Sequence, residues 1–166
     1  VDFLTDSDYN ETKSAIRKLR ELSKSKDYAY IHEKLADMLE SKAISIRDQK
    51  EEKKVREAAI AEWDRAIKLE PYRIKYHVEK GHLLTYIDKN QDAIKEFKAA
   101  LALDFESATR FDIVPISEND VCRDLAGAYG DAGLIDLSEK EFSRVLAEEP
   151  NNYYAYTSRA RIRKDH

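Results

Sequence analysis

The sequence predicts an all-α fold built as an array of antiparallel helix pairs. Its 166 residues include only 4 Gly and 3 Pro, too few for the turn-rich connections of a β-sandwich or barrel. A pattern of small and aromatic residues also returns after 34 residues, which indicates a repeat architecture in which neighbouring helix pairs stabilise one another. A chain of this length suits one short array better than two independent domains.

The repeated pattern describes the second helix of each pair. The segment AIAEWDRAIKLEP (59–71) aligns with AIKEFKAALALDF (93–105), so that Trp63 and Phe97 lie 34 residues apart. A third copy, SEKEFSRVLAEEP (138–150), follows the second by 45 residues. The aromatic residue of each copy is expected to fill the wedge between successive pairs. In the first and third copies the final proline ends the helix, because it lacks a backbone N–H.

A different helical pattern precedes each copy, with a small residue where a neighbouring helix must approach closely. These small residues are Ala36, Gly81, Ala126 and Ala160. Together the two patterns resemble the tetratricopeptide repeat (TPR), whose consensus is W-x2-L-G-x2-Y, then A-x3-F, then P. The resemblance covers about residues 29–163 and implies a right-handed superhelical array, a TPR-like α-solenoid. The chain departs from the consensus where His77 and Cys122 replace the Trp and Phe105 replaces one Pro.

The array is expected to contain three repeats with additional elements at both ends and one insertion. An N-terminal helix is either a cap or the second helix of a preceding repeat, and a single helix caps the C-terminus. The predicted order is the N-terminal helix (1–28), repeat 1 with elongated helices (29–73), repeat 2 (74–107), an inserted apolar loop (108–118), repeat 3 (119–152) and the C-terminal capping helix (153–166).

Two insertions interrupt the period. The first lies within 41–57, a run of helix formers, and predicts longer helices that serve either as a solvated extension or as a projecting contact surface. The second is the loop 108–118, whose apolar residues either cover the seam between repeats 2 and 3 or lie across the concave face and shape a ligand site. Ser117 and Asp120 have the spacing of an N-terminal cap for the next helix.

The residues that could perform catalysis are present without the spacing that catalysis needs. The four histidines (His32, His77, His82 and His166) form no metal-ligand pair at i,i+4, and Cys122 occupies a buried helix position. No glycine-rich phosphate loop with a following Lys-Ser/Thr is present. We therefore expect no enzyme, no cofactor and no metal site.

The resemblance to TPR domains implies that the first helices line a concave groove that binds a protein or peptide. Tyrosine, valine and histidine side chains would anchor the ligand, and charged groups would orient it. The candidate groove residues are Tyr30, Glu33, Asp37, Lys75, Val78, Glu79, His82, Tyr86, Arg123, Asp124, Asp131, Tyr154 and Arg161. A purely solvated face is the alternative, since polar residues would occupy these positions without any ligand.

The charge of the candidate groove restricts the partner. TPR domains that clamp acidic chaperone tails carry Lys, Asn and Arg in these positions, whereas this chain carries Glu33, Asp37, Glu79 and Asp124. We therefore exclude an acidic chaperone tail and expect a neutral or basic ligand with an apolar anchor. The net charge of −4 also argues against nucleic acid, and no apolar run approaches the roughly 18 residues that a transmembrane helix needs.

Two alternative functions remain open at this point. The Tyr-rich C-terminal helix could mediate self-association into a homo-oligomer, or the chain could be the non-catalytic part of a larger enzyme or secretion complex. The basic residues of the N-terminal helix are either a solvated outer face or a contact for an acidic partner or anionic surface. A single cysteine favours the cytoplasm, while a periplasmic or other location stays open if an N-terminal address was removed.

Overall fold

Helices account for all the regular secondary structure that we describe. The computed structural model describes residues 6–108 and 116–165. Its helices are α1 (Asp6–Ser25), α2 (Ala29–Ile44), α3 (Gln49–Leu69), α4 (Ile74–Tyr86), α5 (Asn90–Leu101), α6 (Phe105–Ala108), α7 (Glu118–Asp131), α8 (Ile135–Glu148) and α9 (Tyr153–Asp165). They form two compact units, an N-terminal unit (Val1–Pro71) and a C-terminal unit (Tyr72–His166). The predicted all-α class is confirmed.

The N-terminal unit packs α1 and α3 against α2. Helices α2 and α3 have 16 and 21 residues, whereas α4 and α5 have 13 and 12. The turn between α2 and α3 ends at Asp48, whose side chain accepts a hydrogen bond from the backbone N–H of Glu51 at 2.8 Å and so caps α3. Trp63, on α3, is completely buried.

A buried histidine links α2 to α3 within this unit. His32 is 2% exposed, and its Nδ1 lies 2.7 Å from the Glu62 carboxylate. Its Nε2 lies 2.8 Å from the carboxylate of Asp27, which precedes α2. Because both ring nitrogens have carboxylate partners, this histidine is a structural group of the core.

The C-terminal unit consists of the pairs α4–α5 and α7–α8, with α9 packed on the second pair. Gly81 allows α4 and α5 to approach closely, since a Cβ at this position would lie 2.6 Å from the ring of Phe97. In the second pair, Ser138 on α8 donates a hydrogen bond to the carbonyl oxygen of Ala126 on α7 at 2.8 Å. Phe142 is buried in the core of this pair.

The connection between α6 and α7, residues 109–117, corresponds to the predicted loop 108–118. Most of this loop, residues 109–115, lies outside the described residues. On its C-terminal side, Ser117 and Asp120 form a capping box in which each side chain bonds to the other residue's backbone N–H. The sequence signal for the start of α7 is thereby confirmed.

Two candidate groove residues are buried, and the expectation that they face a ligand was wrong. Val78 is 3% exposed because it lies one turn after the buried Ile74 and shares its face of α4. Glu33 is 9% exposed and lies one turn after the buried Ala29 on α2.

Within the described residues, no helix combines the length and the apolar character needed to cross a membrane.

Candidate ligand-binding surface

The candidate groove residues are distributed over both compact units. In the N-terminal unit, Tyr30 is 62% exposed, and the ammonium of Lys34 lies 5.3 Å from the centre of its ring. Lys34 also donates a hydrogen bond to the carboxylate of Asp37 at 3.4 Å. The Lys34 ammonium therefore contacts both the Tyr30 ring and the Asp37 carboxylate, while the Tyr30 side chain stays exposed.

In the C-terminal unit, helices α4, α7 and α9 bound a cavity of about 240 Å³ with Phe97 of α5. We call it the inner-helix pocket. Its lining residues are His82, Thr85, Tyr86, Phe97, Arg123, Asp124, Gly127, Ala128, Asp131 and Ser158. Five of the predicted groove residues line it, namely His82, Tyr86, Arg123, Asp124 and Asp131. The first helices of successive pairs therefore do bring these side chains to one place within this unit.

His82 is the charged group that connects α4 to α7. Its Nε2 lies 2.8 Å from the Asp124 carboxylate and its Nδ1 3.8 Å from that of Glu79. Burial acts to lower the pKa of His82, but the hydrogen bond to Asp124 and the nearby negative charge of Glu79 outweigh it and raise the pKa to about 10. The imidazole is therefore a cation at neutral pH, and its ring packs on Phe97 with 5.6 Å between ring centres.

Arg123 fixes the next part of the surface. Its guanidinium donates hydrogen bonds to Asp120 at 2.8 Å and to Asp124 at 3.1 Å. It also lies 6.0 Å from the centre of the Tyr154 ring, which is 69% exposed on α9. The two carboxylates, both on α7, thus hold the Arg123 guanidinium in place, while the Tyr154 ring remains open to solvent.

Asp131 and Arg161 connect α7 to α9 in the same way. Arg161 donates a hydrogen bond to the Asp131 carboxylate at 2.9 Å. The backbone carbonyl of Asp131 accepts a hydrogen bond from the side chain of Asn90 at 3.0 Å. Three cross-helix contacts of predicted groove residues, made by His82, Arg123 and Arg161, therefore hold the walls of the pocket in a preformed position.

Sequence reasoning placed some residues near the pocket and missed others that line it. Glu79 and Tyr154 contact lining residues without lining the cavity, and Lys75 is half-buried in the first turn of α4. Thr85 was missed, although it lies one turn after His82 and the helical period could have found it. Phe97 could not have been found in this way, because it comes from the second helix of its pair.

The described residues show no arrangement suited to metal binding. No cluster of three or more His, Cys, Asp or Glu among them could hold an ion. Cys122 is completely buried, and burial raises the pKa of its thiol although Arg144 lies against it. A protonated, inaccessible thiol is a poor nucleophile.

Comparison with solved structures identifies the fold. No protein-family model matches the chain, and no curated protein sequence matches it. The structure of MamA matches with a TM-score of 0.67 at 19% identity, covering 99% of this chain and 86% of that one. TTC0263, a thermophilic TPR protein of Thermus thermophilus, matches with a TM-score of 0.66 at 18% identity, covering 92% of this chain and 73% of that one.

A third match is Acl4, an assembly chaperone of RpL4, with a TM-score of 0.50 at 12% identity, covering 95% of this chain and 59% of that one. At such identities the matches show the fold alone. The chain has a TPR-like fold of helical repeats, and the resemblance inferred from its sequence is confirmed.

Proposed function

We propose that this chain is a non-catalytic scaffold that binds a protein or peptide segment at the inner-helix pocket. The TPR-like neighbours favour a protein-interaction scaffold as the general class. The observation that carries the proposal is the pocket itself, since its walls come from α4, α7 and α9 and are held by ion pairs that exist before any ligand arrives. A preformed surface avoids part of the ordering cost of binding.

The size of the pocket favours a polypeptide over a small molecule. A volume of about 240 Å³ lies below the roughly 300–1,000 Å³ of pockets that bury a drug-sized ligand. Such a volume suits one anchoring side chain of a longer partner. Tyr86 lines the pocket and Tyr154 lies beside it. They are 65% and 69% exposed, and exposed tyrosines are enriched at protein interfaces.

The charges around the pocket favour a neutral or basic segment. Four carboxylates surround it, on Glu79, Asp120, Asp124 and Asp131. Three cations, His82, Arg123 and Arg161, pair with them, which leaves a local net charge of −1. An acidic segment would therefore meet like charge, whereas a basic or uncharged one would not.

A selection experiment with matched tyrosine variants tests the proposal. Peptides are selected from a random phage-displayed library on the intact chain, and their affinities are measured for Tyr86→Ala/Tyr154→Ala and for the control Tyr72→Ala. All three tyrosines are at least 60% exposed, so their removal should not unfold the chain. We expect peptides with an apolar residue and no net negative charge, which lose affinity for the double variant and bind the control normally.

Three results would count against this proposal. Equal affinity for all variants would place binding elsewhere, a selection that yields acidic peptides would contradict the charge argument, and a selection that yields none would remove peptide binding at this surface.

Self-association through α9 is the second candidate function. Tyr153, Tyr154 and Tyr156 are 71%, 69% and 50% exposed, an unusual density of uncovered aromatic surface for one helix. Sedimentation equilibrium of the wild type and of Tyr153→Ser/Tyr156→Ser decides this point. A monomeric mass for the wild type at high concentration would exclude self-association.

A further inference from the structure

A second cavity, of about 570 Å³, lies in the N-terminal unit between α1 and α2. We call it the basic trough, and its lining residues are Lys13, Ser14, Ile16, Arg17, Arg20, Glu21, Lys24 and Lys42. Five cations and one carboxylate give the lining a net charge of +4.

Four of the five cations form a regular row along α1. Lys13, Arg17, Arg20 and Lys24 follow one another at spacings of 4, 3 and 4 residues, which places them on one face of the helix. Their Cα atoms span 11 residues, about 16 Å at 1.5 Å per residue. Lys42 adds a fifth cation from α2.

Among the side chains that the structure describes (11–106 and 116–164), none of these five cations forms an ion pair with a carboxylate. Other cations of the same unit do pair, for example Lys34 with Asp37 and Arg56 with Glu52. Like charges three and four residues apart destabilise a helix, so the free protein carries an unfavourable row that a negative ligand would neutralise. This is the observation that indicates a ligand.

We propose that the basic trough binds an acidic polypeptide segment whose carboxylates form a row of about 16 Å. The planar guanidinium groups of Arg17 and Arg20 can each bind a carboxylate through two hydrogen bonds. The aliphatic parts of the Lys and Arg side chains pack on the partner's apolar atoms beside Ile16. This partner differs in charge from the one proposed for the inner-helix pocket, and the two sites lie in different units.

The shape of the site favours a polypeptide over an anionic bilayer. A bilayer is flat on this scale, and a helix that lies on it needs a broad exposed apolar face. Among the α1 side chains that the structure describes, Leu22 is the one large hydrophobic group that is exposed, at 42%. A recess lined by cations and aliphatic stems fits a protruding chain instead.

The test uses the whole chain and two synthetic helical peptides. One peptide carries four glutamates at the 4, 3 and 4 spacing of the cations, and the other carries glutamines at the same positions. Fluorescence anisotropy measures their binding to the wild type, to Arg17→Gln/Arg20→Gln/Lys24→Gln and to the control Lys50→Gln/Lys53→Gln/Lys68→Gln. The control removes the same number of exposed cations from α3 of the same unit.

We expect the glutamate peptide to bind the wild type, to bind the trough variant about 10-fold more weakly, and to bind the control normally. Binding should weaken as salt increases, since exposed charges are screened. Circular dichroism of both variants verifies that their helices are intact.

The proposal is overturned if the wild type does not bind the glutamate peptide, or if the glutamine peptide binds equally well. It also fails if the control variant loses as much affinity as the trough variant. Co-sedimentation with phosphatidylserine vesicles completes the test. Vesicle binding that depends on Arg17, Arg20 and Lys24, without peptide binding, would assign the trough to a membrane surface.

Discussion

Replacement of Gly81 by alanine tests the close packing of α4 on α5. The added Cβ would lie 2.6 Å from Cε1 and 2.8 Å from Cζ of Phe97, whereas ordinary carbon contacts lie at 3.4–4 Å. Phe97 is 1% exposed, so its ring has little free space into which to move. Gly127 of α7 offers a matched control, because no atom lies within 4 Å of the Cβ that an alanine would add there.

The two substitutions should change stability in opposite directions. Each gains about 0.8–1 kcal/mol from the higher helix propensity of alanine. Overpacking costs about 1–3 kcal/mol at Gly81 and nothing at Gly127. We therefore expect Gly81→Ala to destabilise the chain by about 1 kcal/mol and Gly127→Ala to stabilise it by up to about 1 kcal/mol.

Urea and thermal unfolding followed by far-ultraviolet circular dichroism measure this difference. One kcal/mol corresponds to about 2–4 °C in Tm for a chain of this size. In the Gly81→Ala background, Phe97→Leu should cost less than it costs alone, because the smaller side chain removes the clash. Equal or higher stability of Gly81→Ala relative to Gly127→Ala would refute the packing argument.

Three further predictions concern titration and reactivity. Although burial opposes it, Asp124 helps to raise the pKa of His82 to about 10. His82→Gln should therefore lower the free energy of unfolding by its full amount below pH 6.5, and this loss should vanish as the pH rises through about 10. An NMR titration that gives His82 a pKa near 6.5 would contradict this. Hydrogen bonds, first of all from Arg163, lower the pKa of Glu139 to about 2. Glu139→Gln should therefore lower the free energy of unfolding by its full amount above pH 4.5, and this loss should vanish as the pH falls through about 2. Urea unfolding at a series of pH values measures the difference. Cys122 is buried and burial raises its thiol pKa, so a disulfide reagent should modify it only as urea unfolds the chain; rapid reaction with the folded protein would place the thiol at the surface.

The spacing of small and aromatic residues was sufficient to predict the helix pairs. Trp63, Phe97 and Phe142 are at most 1% exposed, which agrees with their predicted place in the core. Gly81 approaches Phe97 as its size suggested. Such positions are predictable because the helical period and the requirement for burial together leave few residue types that fit.

The candidate site was predictable only in part. Helical register placed His82, Arg123 and Asp131 on the first helices, and all three line the inner-helix pocket. The same register assigned Val78 to the groove, where burial excludes it. Register shows which face a residue occupies relative to its own helix, but it does not show how much of that face another helix covers.

The sequence by itself determined the class of fold, the pairing of helices along the chain and the capped start of α7, since these depend on neighbours within a few turns. Only the tertiary structure decided which charges meet, because His82 and Asp124 are 42 residues apart and Arg161 and Asp131 are 30 apart. It also placed Lys13, Arg17, Arg20 and Lys24 in one recess with Lys42, whereas other cations of the same unit form ion pairs. Side chains on different helices become partners through the angle and depth at which those helices pack, and no local pattern encodes these quantities.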